Sequence, residues 1–462
     1  MTTSRVSMEY KHRMASNFRS IINDLKRRPQ DAARDLEITE EEVTEILSGE
    51  TEISQRVVDK ALEVWPVSPR DFFLLRDDCP NGVRVMSADS TLESARVMSR
   101  AGNDYYEYRD TAMSSVSAFR PEWIQELCVV EDNSAENPSV QWNNGHFLHQ
   151  FTYFIGPVNF YYRDHDGEKQ VATMQTGDSM YIAPFVPHSF TTRKNDKGEL
   201  GLILALTYSN KLGGEAQQEL SLLGREQAGK LVLDFGSGAK ASGALARFHR
   251  EALSMPKEAL AKLLGVSSDA LESFEGGGSE VDFDFLENVA EHLRVPVREL
   301  LPSGIPDARV HILTHEERRE WAVKNAGGET AYEIAELCSA ESLPFSKALE
   351  ITVTESSVDS HTWLDTGTHQ YVFNLGPGPV RLHWSFGETK FEEEIEAGAS
   401  FYMKPGTVHA FTSAEAKLLV LRIGGRVGGD VLQELAHIRP DDLERVLGES
   451  MQWFDPRGRK NV

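Results

Sequence analysis

Cysteine is nearly absent. The 462 residues hold three, Cys79, Cys128 and Cys338, an odd number, widely spaced and without a CxxC pair. A disulfide framework is therefore excluded as the source of stability, and a reducing compartment is the natural setting. Long apolar runs are missing too: the longest, "LGLILALTY" (200–208), is far too short to cross a bilayer. The N-terminal "MTTSRVSMEYKHRM" lacks the apolar centre of a signal peptide, so the sequence reads as cytoplasmic and away from membranes. Positive charge is scarce, with 48 Lys and Arg against 72 Asp and Glu and a net charge of −24. That balance repels a polyanion and argues against nucleic acid as a partner. What remains, at 40% hydrophobic, 9% aromatic and 26% charged residues, is an ordinary globular composition with length for roughly two to four domains.

The chain repeats itself. "LEITEEEVTEIL" (36–47) returns as "LGVSSDALESFE" (264–275), and "DKALEVWPVSPRDFFLL" (59–75) as "ENVAEHLRVPVRELLPS" (287–303). Further on, "HQFTYFIGPV" (149–158) returns as "HQYVFNLGPG" (369–378), and "GDSMYIAPFVPHSF" (177–190) as "GASFYMKPGTVHAF" (398–411). Even "GGEAQQEL" (213–220) is echoed by "GGDVLQEL" (428–435), and all offsets lie between 215 and 228 residues, in order. This is a tandem duplication of one module of roughly 220 residues.

Each module begins with short helices at helix-turn-helix spacing. Val43, Ile46 and Leu47 supply the apolar period, and Thr39 with Glu42 forms a capping box. The helix that would read DNA carries Glu40, Glu41, Glu42 and Glu45, and its counterpart Asp269, Glu272 and Glu275, each repulsive to phosphate. These heads read as packing elements. The run Lys26-Arg27-Arg28 makes the first helix basic at its end, which as a charge run is ordinarily a solvated face. Short strands with turn signals such as "DHDGE" (164–168) follow the helices and suggest a barrel or sandwich.

Two stretches of the first module carry candidate chemistry: "WNNGHFLHQFTYFIGP" (142–157) and "TGDSMYIAPFVPHSF" (176–190). They read like the two metal-binding segments of a cupin β-barrel, with His146 in one and His188 in the other. Strand alternation puts His146, Leu148, Gln150 and Thr152 on one face and His149, Phe151 and Tyr153 on the other. In a flat strand His146 and Gln150 would lie about 13 Å apart. Joint ligation thus needs irregular backbone, for which Asn143-Asn144-Gly145 is suited. The carboxylate that would complete a two-histidine, one-carboxylate triad is missing. Asp164, Asp166 and Glu168 belong to a turn, Asp178 follows Gly177 at a strand entry, and the inward position before His188 holds Ile182. The amide oxygen of Gln150 is the replacement the pattern offers, with His149 as its rival. Taken singly, each of these residues reads as an ordinary barrel histidine or a satisfied glutamine; jointly they read as a metal site. In the second module Gln370 and His409 persist while Thr366 replaces His146, which marks that cupin as degenerate; a set of His369, His383 and His409 is the alternative there.

A neutral amide in place of a carboxylate leaves the full +2 of a divalent ion uncompensated. It should favour a doubly anionic, oxygen-rich ligand such as a phosphonate or phosphate ester, surrounded by cationic side chains.

The layout resembles the 2-hydroxyethylphosphonate dioxygenase and methylphosphonate synthase family over essentially the whole chain. "NNGH" (143–146), "GDS…P…PHS" (177–189) and "RAGNDYYEY" (100–108) carry the resemblance. It implies Fe(II), one per chain in the first cupin, held by His146, Gln150 and His188, with O₂ as co-substrate and no external reductant. It also implies phosphonate contacts from Lys26, Arg100, Tyr108 and Asn143, with Lys26 and Tyr108 assisting the chemistry. Hydroxymethylphosphonate-forming members have an iron-binding Glu at the position of Ile182 and a small residue at that of Gln150; the methylphosphonate-forming branch has neither feature and carries the Gln. The reaction implied is C–C cleavage of 2-hydroxyethylphosphonate, begun by hydrogen removal from C2, to methylphosphonate and carbon dioxide or bicarbonate.

The fold class expected is mixed α and β, a tandem duplication of a helix-turn-helix-like subdomain followed by a cupin β-barrel. The boundaries expected are 1–80 and 226–305 for the helical domains, 81–225 for the catalytic cupin and 306–462 for the degenerate cupin with a C-terminal helix. Two other functions compete: a dioxygenase giving hydroxymethylphosphonate and formate, and a ligand-sensing transcription regulator. The expected partner is a small phosphonate, with a homo-oligomer allowed by the duplication.

Overall fold

A computed structural model describes residues 2–208, 212–278, 282–302, 309–356 and 361–448. The expected boundary between residues 305 and 306, and the chain beyond 448, lie outside the described residues. The chain divides into two compact units, the first gathering residues 1–80, 114–118 and 427–462, the second 81–113 and 119–426.

In the first unit, helices Thr2–Asp24, Pro29–Leu36, Glu40–Ser48 and Gln55–Val64 enclose Phe18, Leu36, Val43, Ile46 and Val58. Thr39 caps its helix, its hydroxyl accepting from the Glu42 N–H at 3.1 Å. The reciprocal half of the expected capping box does not form, because the Glu42 carboxylate turns to Arg56 at 3.7 Å. The basic run also sits elsewhere than expected. The first helix stops at Asp24, Lys26 is left-handed at φ 57°, and Arg28 is extended ahead of Pro29, where a helical conformation would clash with the proline ring.

The second unit holds the other helical head and both cupins. Helices Gly238–Ala252, Lys257–Leu264, Ser268–Glu275 and Phe283–Leu293 pack through Ala246, Leu260, Leu271 and Val289. Inside that head the Arg250 guanidinium binds the Glu275 carboxylate with two hydrogen bonds, at 2.6 and 2.8 Å.

The first cupin is a pair of sheets. The larger runs in the order Val310–Leu313, Ser179–Ile182, His149–Ile155, Leu202–Tyr208, Glu122–Glu126, Asn103–Asp110, Arg96–Arg100. The smaller runs Val129–Val130, His188–Arg193, Val158–Arg163, Lys169–Met174. Phe154 and Ile203 of the larger sheet and Phe160 and Phe190 of the smaller one meet in a single core. The chain passes between sheets at Gly156-Pro157, where a glycine at φ 79° makes the turn. The second cupin repeats the plan, with Ser400–Met403, His369–Pro377 and Ala416–Ile423 in its larger sheet and Val408–Thr412 in its smaller one.

Each larger sheet borrows its outermost strand from the other half of the chain. Val310–Leu313, which precedes the second cupin, pairs with Ser179–Ile182 of the first, and Val83–Met86 pairs with Ser400–Met403 of the second. The exchange is reciprocal down to single bonds: Ser179 Oγ accepts from the Cys338 N–H and Ser400 Oγ from the Ala112 N–H, both at 2.9 Å.

Between the copies the buried Tyr153 hydroxyl donates to Glu350 at 2.6 Å, while Arg318 and Lys417 each approach the other carboxylate oxygen at 3.1 Å. These partners outweigh burial and hold the Glu350 carboxyl below its usual range. Tyr153→Phe removes the one donor that bridges the copies at this carboxylate. We expect chemical denaturation to show a loss of about 1–2 kcal/mol with no change in secondary structure.

Candidate metal centre

The strand expected to carry His146 begins only at His149; residues 141–148 approach it as irregular backbone. Gly145 turns this segment at φ 73°, and a Cβ there would lie 2.5 Å from the Phe185 carbonyl carbon. Only glycine allows that approach. The contact is fixed by the Phe185 N–H donating to the His146 carbonyl at 2.8 Å. His188 opens the strand His188–Arg193, after the Pro184–Pro187 turn. The two imidazoles meet nearly perpendicular, their centroids 5.2 Å apart.

Hydrogen bonds set the state of both rings. His146 Nδ1 lies 2.7 Å from the Leu148 carbonyl, and His188 Nδ1 lies 2.8 Å from that of Val186. A carbonyl only accepts, so each Nδ1 carries a hydrogen, and in a neutral ring Nε2 then presents a lone pair. Burial lowers the pKa of His188 to about 4, which keeps it neutral at physiological pH.

Gln150, the third donor expected from the sequence, is buried beside His146. Its Nε2 donates to Thr152 Oγ1 at 2.9 Å, which turns Oε1 toward His146 Nε2, also at 2.9 Å. With a neutral His146 ring, two lone pairs face each other at that distance, and a cation shared between them would remove the repulsion. The residues thus fit a divalent ion, with two imidazole nitrogens and one amide oxygen as the donors. His149, the rival donor, points away and places Nδ1 2.6 Å from the Tyr181 hydroxyl.

The register explains how an amide comes to stand in for a carboxylate. Gln150 is the direct antiparallel partner of Ile182, the position without its acid. Directly opposed residues project to the same face, so a donor on either strand reaches the same space. Ile182 is fully buried in the apolar core.

Asn143 joins the centre through three bonds. Its Oδ1 accepts from the N–H groups of Gly145 and His188, both at 2.9 Å, and its Nδ2 lies 3.0 Å from His188 Nε2. Arg100 reaches from the far strand of the sheet, donating to the Gln141 carbonyl at 3.1 Å and lying 4.7 Å over the Tyr106 ring. The Tyr108 phenol is pushed up by burial, with the nearby Arg100 charge opposing. Lys26 belongs to the other compact unit, where its ammonium donates to the Asp24 carbonyl at 3.0 Å.

Two residues escaped sequence reasoning. Thr152 shares the face of Gln150, but a strand threonine gives no sign that it orients an amide. Glu126 is fully buried, both its oxygens lack a partner among the described residues, and burial drives its pKa well above the carboxylate range against the field of Arg100. Its place in the second copy, read from the shared register, is taken by Val353.

The second cupin does not assemble the alternative set. His369 bonds the Tyr402 hydroxyl at 2.7 Å, His383 stacks on His361 at 4.1 Å, and His409 is buried separately. Among the described residues no cluster of three His, Cys, Asp or Glu side chains is placed to hold a metal.

Fold and side chains define a duplicated cupin whose first copy brings His146, Gln150 and His188 to one end of its sheets. No protein-family model matches the chain. It is 45% identical over 449 residues to the methylphosphonate synthase of Nitrosopumilus maritimus (strain SCM1), covering 97% of each. The chain therefore belongs to the methylphosphonate synthase family. Among solved structures, 2-hydroxyethylphosphonate dioxygenase of Streptomyces albus, with 2-hydroxyethylphosphonate and Fe(II) bound, superposes at a TM-score of 0.89 with 35% identity over 96% of this chain and 99% of that one. A variant of 2-hydroxyethylphosphonate dioxygenase shares the fold at 0.72, with 20% identity over 93% and 99% of the two chains.

Thr152→Val, which imitates Val372 of the second copy, should free the Gln150 amide to rotate. We expect divalent-ion affinity, read by titration with Co(II), to fall roughly 10–100-fold.

Proposed function

We propose that this chain is an Fe(II)- and O₂-dependent methylphosphonate synthase. It converts 2-hydroxyethylphosphonate and O₂ to methylphosphonate, bicarbonate and a proton, a balanced reaction that needs no external reductant. The observation that carries this reading is the Gln150 amide oxygen beside His146 Nε2, opposite an aliphatic Ile182. The relative at 45% identity bears the same activity in its name, and the dioxygenase at 35% binds the same substrate and ion.

Fe(II), when bound, supplies the site for O₂ and the one-electron chemistry. The chain's own residues do the rest. His146, Gln150 and His188 would hold the ion with its +2 charge undiminished, which suits a chelating phosphonate dianion. Arg100 is oriented by Gln141 and Tyr106 to receive phosphonate oxygens, and Asn143 offers an amide N–H beside His188. Tyr108, with its proton held by burial, donates rather than ionises. Lys26 is assigned to the phosphonate as well, from its own chain or a neighbouring one. Ile182, beside Gln150, belongs to the apolar core with Phe154, Phe160 and Phe190, so an ion held there would border a dry interior.

The chain divides into four parts at 80, 225 and 305, with one edge strand exchanged between the two cupins and the working ion in the first cupin only. The partner is the small phosphonate rather than nucleic acid: Glu40, Glu41 and Glu45 stand exposed on the helix that would face DNA. The described residues contain no helix long and apolar enough to cross a membrane, and none of the three cysteines forms a disulfide. We place the protein in the cytoplasm, as a homo-oligomer where copies associate.

Phosphorus NMR of a reaction with Fe(II), O₂ and 2-hydroxyethylphosphonate tests the proposal. Methylphosphonate should be the main product; hydroxymethylphosphonate would assign the chain to the dioxygenase reaction, and no turnover would favour a sensor. In the same assay Gln150→Ala should abolish most activity and iron binding, whereas Gln370→Ala leaves both nearly unchanged. Equal losses would refute a single working cupin.

A further inference from the structure

The second cupin lacks more than a histidine. On the strand Ala416–Ile423, Arg422 stands directly opposite Gln370, as Thr207 stands opposite Gln150 in the first copy. Its Nε donates to Gln370 Oε1 at 3.0 Å. That oxygen is the counterpart of the one Gln150 turns toward His146. The rest of the seat is preserved: His409, in the place of His188, keeps Nδ1 at 2.8 Å from a carbonyl, here Thr407, and its Nε2 is buried without a partner among the described residues.

Gln370 is fully buried, so its oxygen requires a donor or a cation. Val372 replaces the threonine that anchors the first glutamine, and Gln370 Nε2 has no partner among the described residues. Arg422 therefore orients this amide from its oxygen side. Burial draws the guanidinium pKa down, with no neighbouring acid opposing it, yet a guanidinium stays charged under any physiological condition.

We propose that Arg422 is the resident cation of the second cupin. Its guanidinium takes the amide oxygen that a divalent ion takes in the first copy, so metal is excluded by two residues, Thr366 and Arg422, acting independently. The inference rests on the reading of the first cupin as the ion-holding copy. It adds that restoring the missing histidine alone does not restore a site, because the guanidinium still occupies the oxygen.

The test counts divalent ions per full-length chain by elemental analysis, with the visible spectrum of bound Co(II) as a second readout. The wild-type chain and Thr366→His should each bind one ion; Thr366→His with Arg422→Thr should bind two. A wild-type count other than one would refute the first-cupin reading itself. With wild type at one, a second ion in Thr366→His alone, or a folded double variant still at one, overturns the role of Arg422. Thermal denaturation of the metal-free chain gives an independent check. Arg422→Met, which strands the Gln370 oxygen, should lower the melting temperature by several degrees, and adding Gln370→Leu should recover most of the loss. No recovery would count against the pairing.

Discussion

Backbone pairing along His149–Ile155 fixes what the centre can contain. The strand lies between Ser179–Ile182 and Leu202–Tyr208, and its register sets Gln150 level with Ile182 on one side and Thr207 on the other. Three side chains from three strands therefore project to one depth on one face. A ligand can be supplied from any of them without moving the backbone. When the acid is absent from 182, the adjacent strand offers the amide at an equivalent height, and the geometry of the two histidines is untouched. The electrostatics change even though the geometry does not. A carboxylate would cancel one unit of the ion's charge, whereas an amide cancels none and must be held by a second bond, here from Thr152, to keep oxygen rather than nitrogen forward.

The duplication shows how the same scaffold behaves when each of these residues is altered. Position by position, the second copy replaces Thr152 with Val372, Thr207 with Arg422 and Glu126 with Val353, and keeps the buried glutamine and the second histidine. Tyr108 becomes Ile334 by the same register. Thr152, Glu126 and Tyr108 thus give way to apolar residues in the second copy, which returns those three positions to ordinary core. Glu126 belongs with that set. An acid buried without partners among the described residues is costly to retain, and the second copy has Val353 in its place.

Much of this was legible from the residues, and the part that was not has physical causes. The duplication, the helical heads and the two histidines follow from repeats and periodicity, which survive without coordinates. Parity gave His149 the outward face, where it meets Tyr181. Parity also put His146 on the strand, whereas it sits in the turn before it, since a loop held by Gly145 and Phe185 has no period to read. The capping box at Thr39 formed only half, because a longer-range charge, Arg56, competes for Glu42. The closed barrel expected for a cupin appears as two packed sheets, and the exchange of edge strands was invisible because it pairs residues well over a hundred positions apart.

That exchange also bears on why a cupin without the donor set persists. Ile182 has Gln150 on one side and Val310 on the other, and Val310 belongs to the strand that leads into the second copy. The strand beside Ile182 is thus contributed by the second half of the chain, and the first half repays in kind with Val83–Met86. Losing either copy would leave the other with an exposed sheet edge and an unpaired row of backbone donors and acceptors. The buried Tyr153–Glu350 contact and the paired Ser179 and Ser400 bonds add polar links that are satisfied only when both copies are present. Under these constraints the second cupin is free to lose its ligands but not its strands. A fixed guanidinium then suits it better than an exchangeable ion, since it satisfies the buried glutamine oxygen at all times and makes the supporting wall independent of metal supply.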